Sequence, residues 1–173
     1  MNIDFEQFKR QFKNLPLGLR INNVGCVKYF SYNFWRGQIG NYRGFARFSS
    51  FEFGIRAMTI VLMRYIYKYR IFDVKTIIET YAPAIDGNRT IDYVNYVIKN
   101  SGFGIVPIEI DKLKVVLPCV IYQMTCVENG PEYRRLAFDT DGYIVTFTVL
   151  VRKYIDEYLN EVVYPVHGKK ETI

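Results

Sequence analysis

The chain has 173 residues, of which 50% are hydrophobic and 17% are aromatic. This length and composition predict one globular domain with a real hydrophobic core, and they exclude a disordered chain. The formal net charge of +6 favours a polyanionic partner, but cell-wall polymers, nucleic acid and acidic lipid surfaces all meet that description.

Helical spacing of apolar residues and capping signals predict a mostly α chain of the α+β class. The first helix is expected over residues 2–13, and it is broken by Asn14–Gly18. Residues 19–48 are rich in Asn, Gly and aromatic residues without a sustained period, so we expect irregular structure with short strands. The longest helix is predicted over residues 51–70, with Ser49 or Ser50 as its cap.

Further helices are predicted at 73–81, capped by Asp73, and at 90–99, capped by Thr90. The second of these should bury Ile91, Val94, Val97 and Ile98. The turn-rich residues 84–89, the connector 106–110 and residues 131–141 are expected to be loops, and most of 145–163 to be helix. No repeat, low-complexity stretch or charge block indicates a second domain. We therefore expect an N-terminal helix (1–18), a core (19–130) and a C-terminal helical extension with a polar tail (131–173), all in one domain.

The cysteines and the histidine limit the chemistry. Cys26, Cys119 and Cys126 are odd in number and scattered, which favours reduced, buried thiols over a disulfide framework or a zinc site. The single histidine, His167, lies in the polar tail, which argues against a histidine-dependent triad, general base or metal centre. Any hydrolytic chemistry would then depend on carboxylates, Tyr, Lys or Cys, and we expect neither a metal nor a cofactor.

The N-terminal residues lack the basic and apolar regions of a signal peptide, and no apolar run reaches membrane-spanning length. We therefore expect a protein made in the cytoplasm without a signal peptide and without a membrane span.

One predicted helix, Pro118–Gly130, carries an acid on its apolar face. Pro118 suits a first helical turn, and Gly130 suits the position after a helix end. At 100° per residue Leu117, Val120, Ile121 and Met124 share one face of the helix. Glu128 lies near the centre of that face. Burial and the negative end of the helix dipole would both raise the pKa of Glu128 toward the range of a general acid. The alternative is that Glu128 turns to solvent in a frayed last turn.

Loop motifs occur in a fixed order along residues 19–130. They are Asn22-Asn23-Val24-Gly25-Cys26-Val27-Lys28, Trp35-Arg36-Gly37, Gly44-Phe45-Ala46-Arg47-Phe48-Ser49, Gly54-Ile55-Arg56-Ala57, Tyr81-Ala82-Pro83 with Asp86-Gly87-Asn88-Arg89-Thr90 and Tyr93, and Glu128-Asn129-Gly130. This order resembles a family of phage and prophage proteins with a lysozyme-like fold. The pieces also look like those of the glucosaminidase and lytic-transglycosylase relatives of lysozyme, where the helix ending in the catalytic Glu comes first. The resemblance therefore implies a circularly permuted lysozyme-like domain with a long central helix, in which Glu128 occupies the position of the catalytic acid.

This resemblance implies cleavage of peptidoglycan glycan strands with one carboxylic acid, as in the lytic-transglycosylase class. The substrate-binding residues it implies are Trp35, Tyr81 and Tyr93 as sugar-stacking rings and Asn22, Asn23 and Asn88 as amide partners of hydroxyl or acetamido groups. The alternatives are a core anchor for Trp35 and turn formation for Asn22 and Asn23. Glu52 is a rival acid, although helix N-terminal charge complementarity suits it better, and Asp86 is better explained as a turn former than as a second carboxylate.

The motifs depart from the family pattern at Val24, Cys26 and Lys28, where that pattern has Pro, Asn and Arg. Two functions therefore remain open. The first is a phage virion-associated glycosidase or lytic transglycosylase that acts at the cell wall. The second is a non-catalytic virion or assembly protein that keeps the fold to bind other virion proteins. Nucleic-acid binding, which charge and aromatic residues alone would favour, is the least expected.

Overall fold

The structure, a computed structural model, describes residues 4–104 and 106–163. Ile3 and His167 lie outside these residues. The described chain is mostly helical, as predicted, with seven α-helices and one antiparallel pair of strands. In order the elements are α1 (Phe5–Lys9), α2 (Leu17–Arg20), β1 (Gln38–Tyr42), β2 (Phe45–Phe48), α3 (Phe51–Tyr69), α4 (Val74–Tyr81), α5 (Thr90–Ser101), α6 (Leu113–Asp139) and α7 (Tyr143–Tyr158). Short 3-10 turns cover Ala84–Asp86 and Ile110–Lys112, and α7 continues into a π-helical turn at Leu159–Val163.

The core is built around α3, whose inner face packs against α7, while α7 also packs against α6. Ile55, Met58, Leu62 and Ile66 recur at helical spacing on α3, and each is fully buried. Side chains at this spacing form one continuous stripe on a helix, so burying it against a second helix removes the whole stripe from water. The helix predicted over residues 51–70 is confirmed, and its apolar stripe is part of the core.

Two helix starts follow different rules. The Asp73 carboxylate accepts a hydrogen bond of 2.8 Å from the Thr76 amide, so it caps α4 as predicted. Thr90 is instead the first residue of α5, and its hydroxyl donates to the Ala82 carbonyl at 2.7 Å. Ile91 was expected to be buried, but it is 77% exposed because α5 turns that face to solvent.

The N-terminal helix is shorter than predicted. Asp4 caps α1 by accepting from two backbone amides, and the helix ends at Lys9. The aromatic residues that suggested the longer helix, Phe5, Phe8 and Phe12, are nevertheless buried.

The prediction for α6 was wrong at both ends. The helix begins at Leu113, before Pro118. Proline has no amide hydrogen to donate to the Lys114 carbonyl, which accepts instead from the Arg152 guanidinium at 3.0 Å. Residues 131–139 are helical, although a loop was predicted there. Gly130 has φ 84° and ψ −179°, which turns the chain into a second helical segment that starts at Pro131. At the start of a helix the missing amide hydrogen of proline costs no helical hydrogen bond.

Buried hydroxyl groups fix the turn at Gly130. Tyr133 is fully buried, and its hydroxyl lies 3.1 Å from the Thr125 hydroxyl and 2.8 Å from that of Tyr143. This chain of hydrogen bonds joins the two segments of α6 to the start of α7.

No helix among the described residues is long and apolar enough to cross a membrane.

Candidate functional site

Two cavities meet at Glu128. One, of about 380 Å³, is lined by aromatic residues that include Trp35, Phe45 and Tyr81, and we call it the aromatic cavity. The other, of about 490 Å³, is lined by Arg89 and Arg134 among others, and we call it the arginine cavity. Asn88 and Glu128 line both cavities. A ligand that filled both cavities would therefore contact Glu128.

The carboxyl group of Glu128 is nearly enclosed and hydrogen-bonded. The Tyr93 hydroxyl donates to its Oε1 at 2.9 Å, and the Cys26 side chain forms a second hydrogen bond with it. Burial raises the pKa of Glu128 from 4.5 to about 7, although the hydrogen bonds from Tyr93 and Cys26 oppose this rise. A pKa in this range allows Glu128 to donate a proton near neutral pH and to accept one afterwards, as a general acid that later acts as a base must.

The loop that brings Cys26 to Glu128 is held by the Asn23 amide. Asn23 is fully buried, donates to the carbonyls of Val27 and Ala46, and accepts from the Val27 amide. Cys26 itself has φ 50°, a left-handed conformation that a residue other than glycine adopts only when its surroundings enforce it. The loop is thus a rigid support for the thiol.

Asn129, next to Glu128, ties this loop to α6. Its amide nitrogen donates to the Val24 carbonyl at 2.7 Å and to the Thr125 carbonyl at 3.0 Å. The Tyr81 hydroxyl also donates to the loop, at the Gly25 carbonyl. A side chain at Gly25 would place its Cβ 2.5 Å from the Met58 sulfur and 2.8 Å from the Tyr81 hydroxyl, so those side chains would have to shift.

Cys26 is a hydrogen-bonding group in this site. Burial, together with the neighbouring Glu128, raises the pKa of the thiol well above its ordinary value. The protonated thiol is a poor nucleophile. Its place beside Glu128 therefore suits a donor to the carboxylate, which the sequence interpretation of a small core residue did not include.

The predicted sugar-binding residues divide into two groups. Trp35, Tyr81, Tyr93 and Asn88 all line one or both cavities together with Glu128. Trp35 is only 5% exposed and has the Arg64 guanidinium 4.9 Å from its ring centre, so it is a core anchor with one edge on the aromatic cavity. Tyr93 is also buried, and its geometry suits the orientation of Glu128 better than stacking on a sugar.

Asn22 and Asn23 line neither cavity. The Asn22 side chain accepts from Lys9 at 2.8 Å and donates to the Phe48 carbonyl at 3.2 Å. All three hydrogen bonds of Asn23 go to backbone groups. The two bonds between Asn23 and Val27 are local and correspond to the alternative of turn formation, whereas the bonds to Lys9, Phe48 and Ala46 join the loop to distant segments.

The other carboxylates that line the cavities are ion-paired. Asp86 lies 2.6 Å from the Lys28 ammonium, and Asp92 lies 2.7 Å from the Arg89 guanidinium. Glu52 lies on α3 and lines neither cavity. The described residues contain no cluster of His, Cys, Asp or Glu that could hold a metal ion.

Arg134 is the residue of this site that the sequence interpretation missed entirely, because residues 131–141 were expected to be a loop. It lies on the second segment of α6, donates to the Tyr96 hydroxyl at 3.3 Å, and has no carboxylate partner within the described part of the chain. It therefore brings to the arginine cavity a positive charge that is in no ion pair with the described residues.

Neither models of known protein families nor curated proteins match this chain.

Proposed function

We propose that this protein is a phage virion-associated, lysozyme-like enzyme that cleaves peptidoglycan glycan strands with Glu128 as its acid. The observation that carries the proposal is a carboxyl group with a pKa of about 7 at the meeting point of two cavities. The loop motifs that suggested this family lie against the same carboxyl group, since Cys26 bonds to it and Asn129 fastens the loop.

The mechanism uses one carboxyl group in two roles. Protonated Glu128 donates its proton to the glycosidic oxygen as the bond from that oxygen to the sugar C1 breaks. The Glu128 carboxylate then takes a proton from the nucleophile that attacks C1, which is either water or a hydroxyl of the same sugar. Tyr93 and Cys26 stabilise the carboxylate between these steps by donating to it. Neither route needs a second free carboxylate, which is consistent with the ion pairs that hold Asp86 and Asp92.

The two cavities suit the two sugars of peptidoglycan. One sugar is neutral and the other carries a lactyl group and a peptide stem that bears carboxylates. The aromatic cavity offers apolar ring surface beside Trp35 and Tyr81, which suits a neutral sugar face. The positive charge of Arg134 suits a carboxylate in the arginine cavity.

The test is digestion of purified peptidoglycan by the wild-type protein, Glu128→Gln and Glu132→Gln. Glu132 lies four residues further along α6 and lines neither cavity, so its variant controls for loss of a carboxylate. We expect soluble fragments from the wild type and Glu132→Gln, and a loss of at least about 100-fold in Glu128→Gln, since general acid catalysis contributes about 10²–10⁴-fold. Mass spectrometry distinguishes anhydro-sugar ends from hydrolysed ends. Unchanged digestion by Glu128→Gln would contradict the catalytic assignment.

A second candidate is a non-catalytic virion or assembly protein with the same fold. Val145 and Val149 lie one turn apart on α7 and are 67% and 58% exposed, and Phe138 near the end of α6 is 75% exposed. Apolar side chains exposed in this way suit contact with another virion protein. A folded wild-type protein that releases no fragments from peptidoglycan would favour this candidate.

A further inference from the structure

The net positive charge of the chain arises from one segment. Residues 7–51 contain eight Lys and Arg and no Asp or Glu, whereas the rest of the chain has 15 Lys and Arg against 17 Asp and Glu. The whole net charge therefore comes from the segment that forms the irregular region and both strands. Three of these cations, Lys9, Lys28 and Arg36, pair with carboxylates from outside the segment. The other five can attract anions over a distance of about 10 Å at ordinary salt.

The same segment exposes four aromatic side chains at adjacent turns, which we call the aromatic tip: Phe30, Tyr32, Phe34 and Tyr42. Tyr32 is 84% exposed and Phe34 is 76% exposed. A bridge between Phe30 and Asn33 closes the first turn, and the Tyr29 amide donates to the Gly44 carbonyl at 2.8 Å. This hydrogen bond places the first turn beside the turn that joins β1 to β2.

Arginines lie close to Tyr42 at one part of the tip. The guanidinium groups of Arg20 and Arg43 lie 5.8 and 5.3 Å from the ring centre of Tyr42, and Arg47 is exposed on β2. No carboxylate of residues 4–104 and 106–161 forms an ion pair with any of these three arginines. Their charges are therefore available to an anionic partner.

We propose that the aromatic tip docks onto the surface of an anionic phospholipid bilayer. Aromatic rings favour the headgroup region of a membrane, and each nearby Arg or Lys adds attraction to anionic lipid. Exposed Ile39 on β1 adds an aliphatic group that an apolar interior accepts. Lys28 and Phe30 also line the aromatic cavity, so docking brings the mouth of that cavity close to the membrane.

Single-stranded nucleic acid is the competing partner for aromatic residues among arginines, because bases stack on exposed ring faces. Here three of the four rings already have another ring or a guanidinium group against them. Phe30 and Tyr32 stack on each other with 5.4 Å between their centres, and the arginines cover Tyr42. Exposed Ile39, on the same strand as Tyr42, has no ring face for a base but suits the apolar part of a membrane surface, so a lipid bilayer is favoured over nucleic acid.

The test is sedimentation of the full chain with vesicles of phosphatidylglycerol and phosphatidylcholine, or of phosphatidylcholine alone. We expect binding to the anionic vesicles only, weakened by salt. Phe34→Ser should weaken binding about tenfold, since partial burial of one aromatic side chain is worth about that factor. Phe138→Ser is the matched control, because Phe138 is 75% exposed but lies on α6. Arg43→Gln should weaken binding about fivefold.

Equal binding to both kinds of vesicle, or equal effects of Phe34→Ser and Phe138→Ser, would overturn the proposal. So would binding of a single-stranded oligonucleotide that depends on Phe34 without any vesicle binding. Glu128→Gln should bind vesicles as the wild type does. This docking is therefore independent of the proposed cleavage, and either can fail alone.

Discussion

Replacement of Asn129 by alanine tests whether α6 holds the loop at the site. The Asn129 amide bonds both the Thr125 carbonyl of its own helix and the Val24 carbonyl of the loop. Val24 is fully buried, so in Asn129→Ala its carbonyl loses this donor where water does not readily replace it. Leaving a buried polar group unsatisfied costs about 1–3 kcal/mol.

Asn100→Ala is a close control. Asn100 also lies in the last turn of a helix, and its amide donates to the Tyr96 carbonyl four residues earlier at 2.7 Å. It is exposed and makes no bond to a distant segment among those described. The two variants therefore share the loss of one bond within a helix and differ in the bond to the loop.

Urea denaturation of the two variants and the wild type measures the difference. Asn100→Ala should change the free energy of unfolding by about 0.5 kcal/mol or less, as surface substitutions do. Asn129→Ala should lower it by about 1–3 kcal/mol more than the control. Equal effects of the two substitutions would refute the claim that this amide fastens the loop to α6.

Three further predictions concern the carboxyl group, the cation and the packing of the site. Burial raises the pKa of Glu128 from 4.5 to about 7, so the folded protein holds this proton more tightly than the unfolded chain does. Ionisation of the carboxyl group therefore destabilises the fold progressively from pH 4.5 to 7, by about 3 kcal/mol in all. Glu128→Gln removes this loss, so its free energy of unfolding relative to wild type should increase across that window, and a pH-independent difference would contradict the raised pKa. Arg134→Gln should weaken binding of carboxylate-bearing peptidoglycan fragments about fivefold in calorimetry, without affecting binding of neutral sugar oligomers. Arg135 pairs with a carboxylate, so Arg135→Gln should affect neither ligand. Equal effects of the two substitutions would contradict the role of Arg134. Gly54→Ala should lower the free energy of unfolding by about 1–3 kcal/mol, because its Cβ would lie 2.0 Å from a backbone oxygen, and Gly104→Ala, with its nearest atom at 4.0 Å, should not; a neutral Gly54→Ala would show that the neighbouring loop can move away.

The sequence was sufficient to predict an element of the fold where local signals and burial agree. The stripe on α3 and the cap at Asp73 were predictable because helical spacing and a side-chain cap are properties of neighbouring residues. Residues 131–139 were predicted as a loop because Gly130 and Pro131 read as a helix end. The structure uses the same two residues to start a new segment, which depends on the distant hydroxyl group of Tyr143.

The candidate site was predictable only in part. The periodicity of α6 placed Glu128 on an apolar face, but spacing alone could not identify Tyr93 or Cys26 as its neighbours, since these contacts depend on how α5 and the loop pack on α6. The absence of acids from residues 7–51 is visible in the sequence. That exposed aromatic side chains of this segment come together as the aromatic tip is apparent only in the structure, where the two turns lie side by side.

The most direct measurement is the pKa of the Glu128 carboxyl group by carbon-detected NMR titration of the full chain, with Glu128→Gln to assign the signal. The account predicts a pKa of about 7, so that the carboxyl group can donate a proton near neutral pH. A pKa near 4.5 would mean a solvated carboxylate and would contradict a general acid at this position.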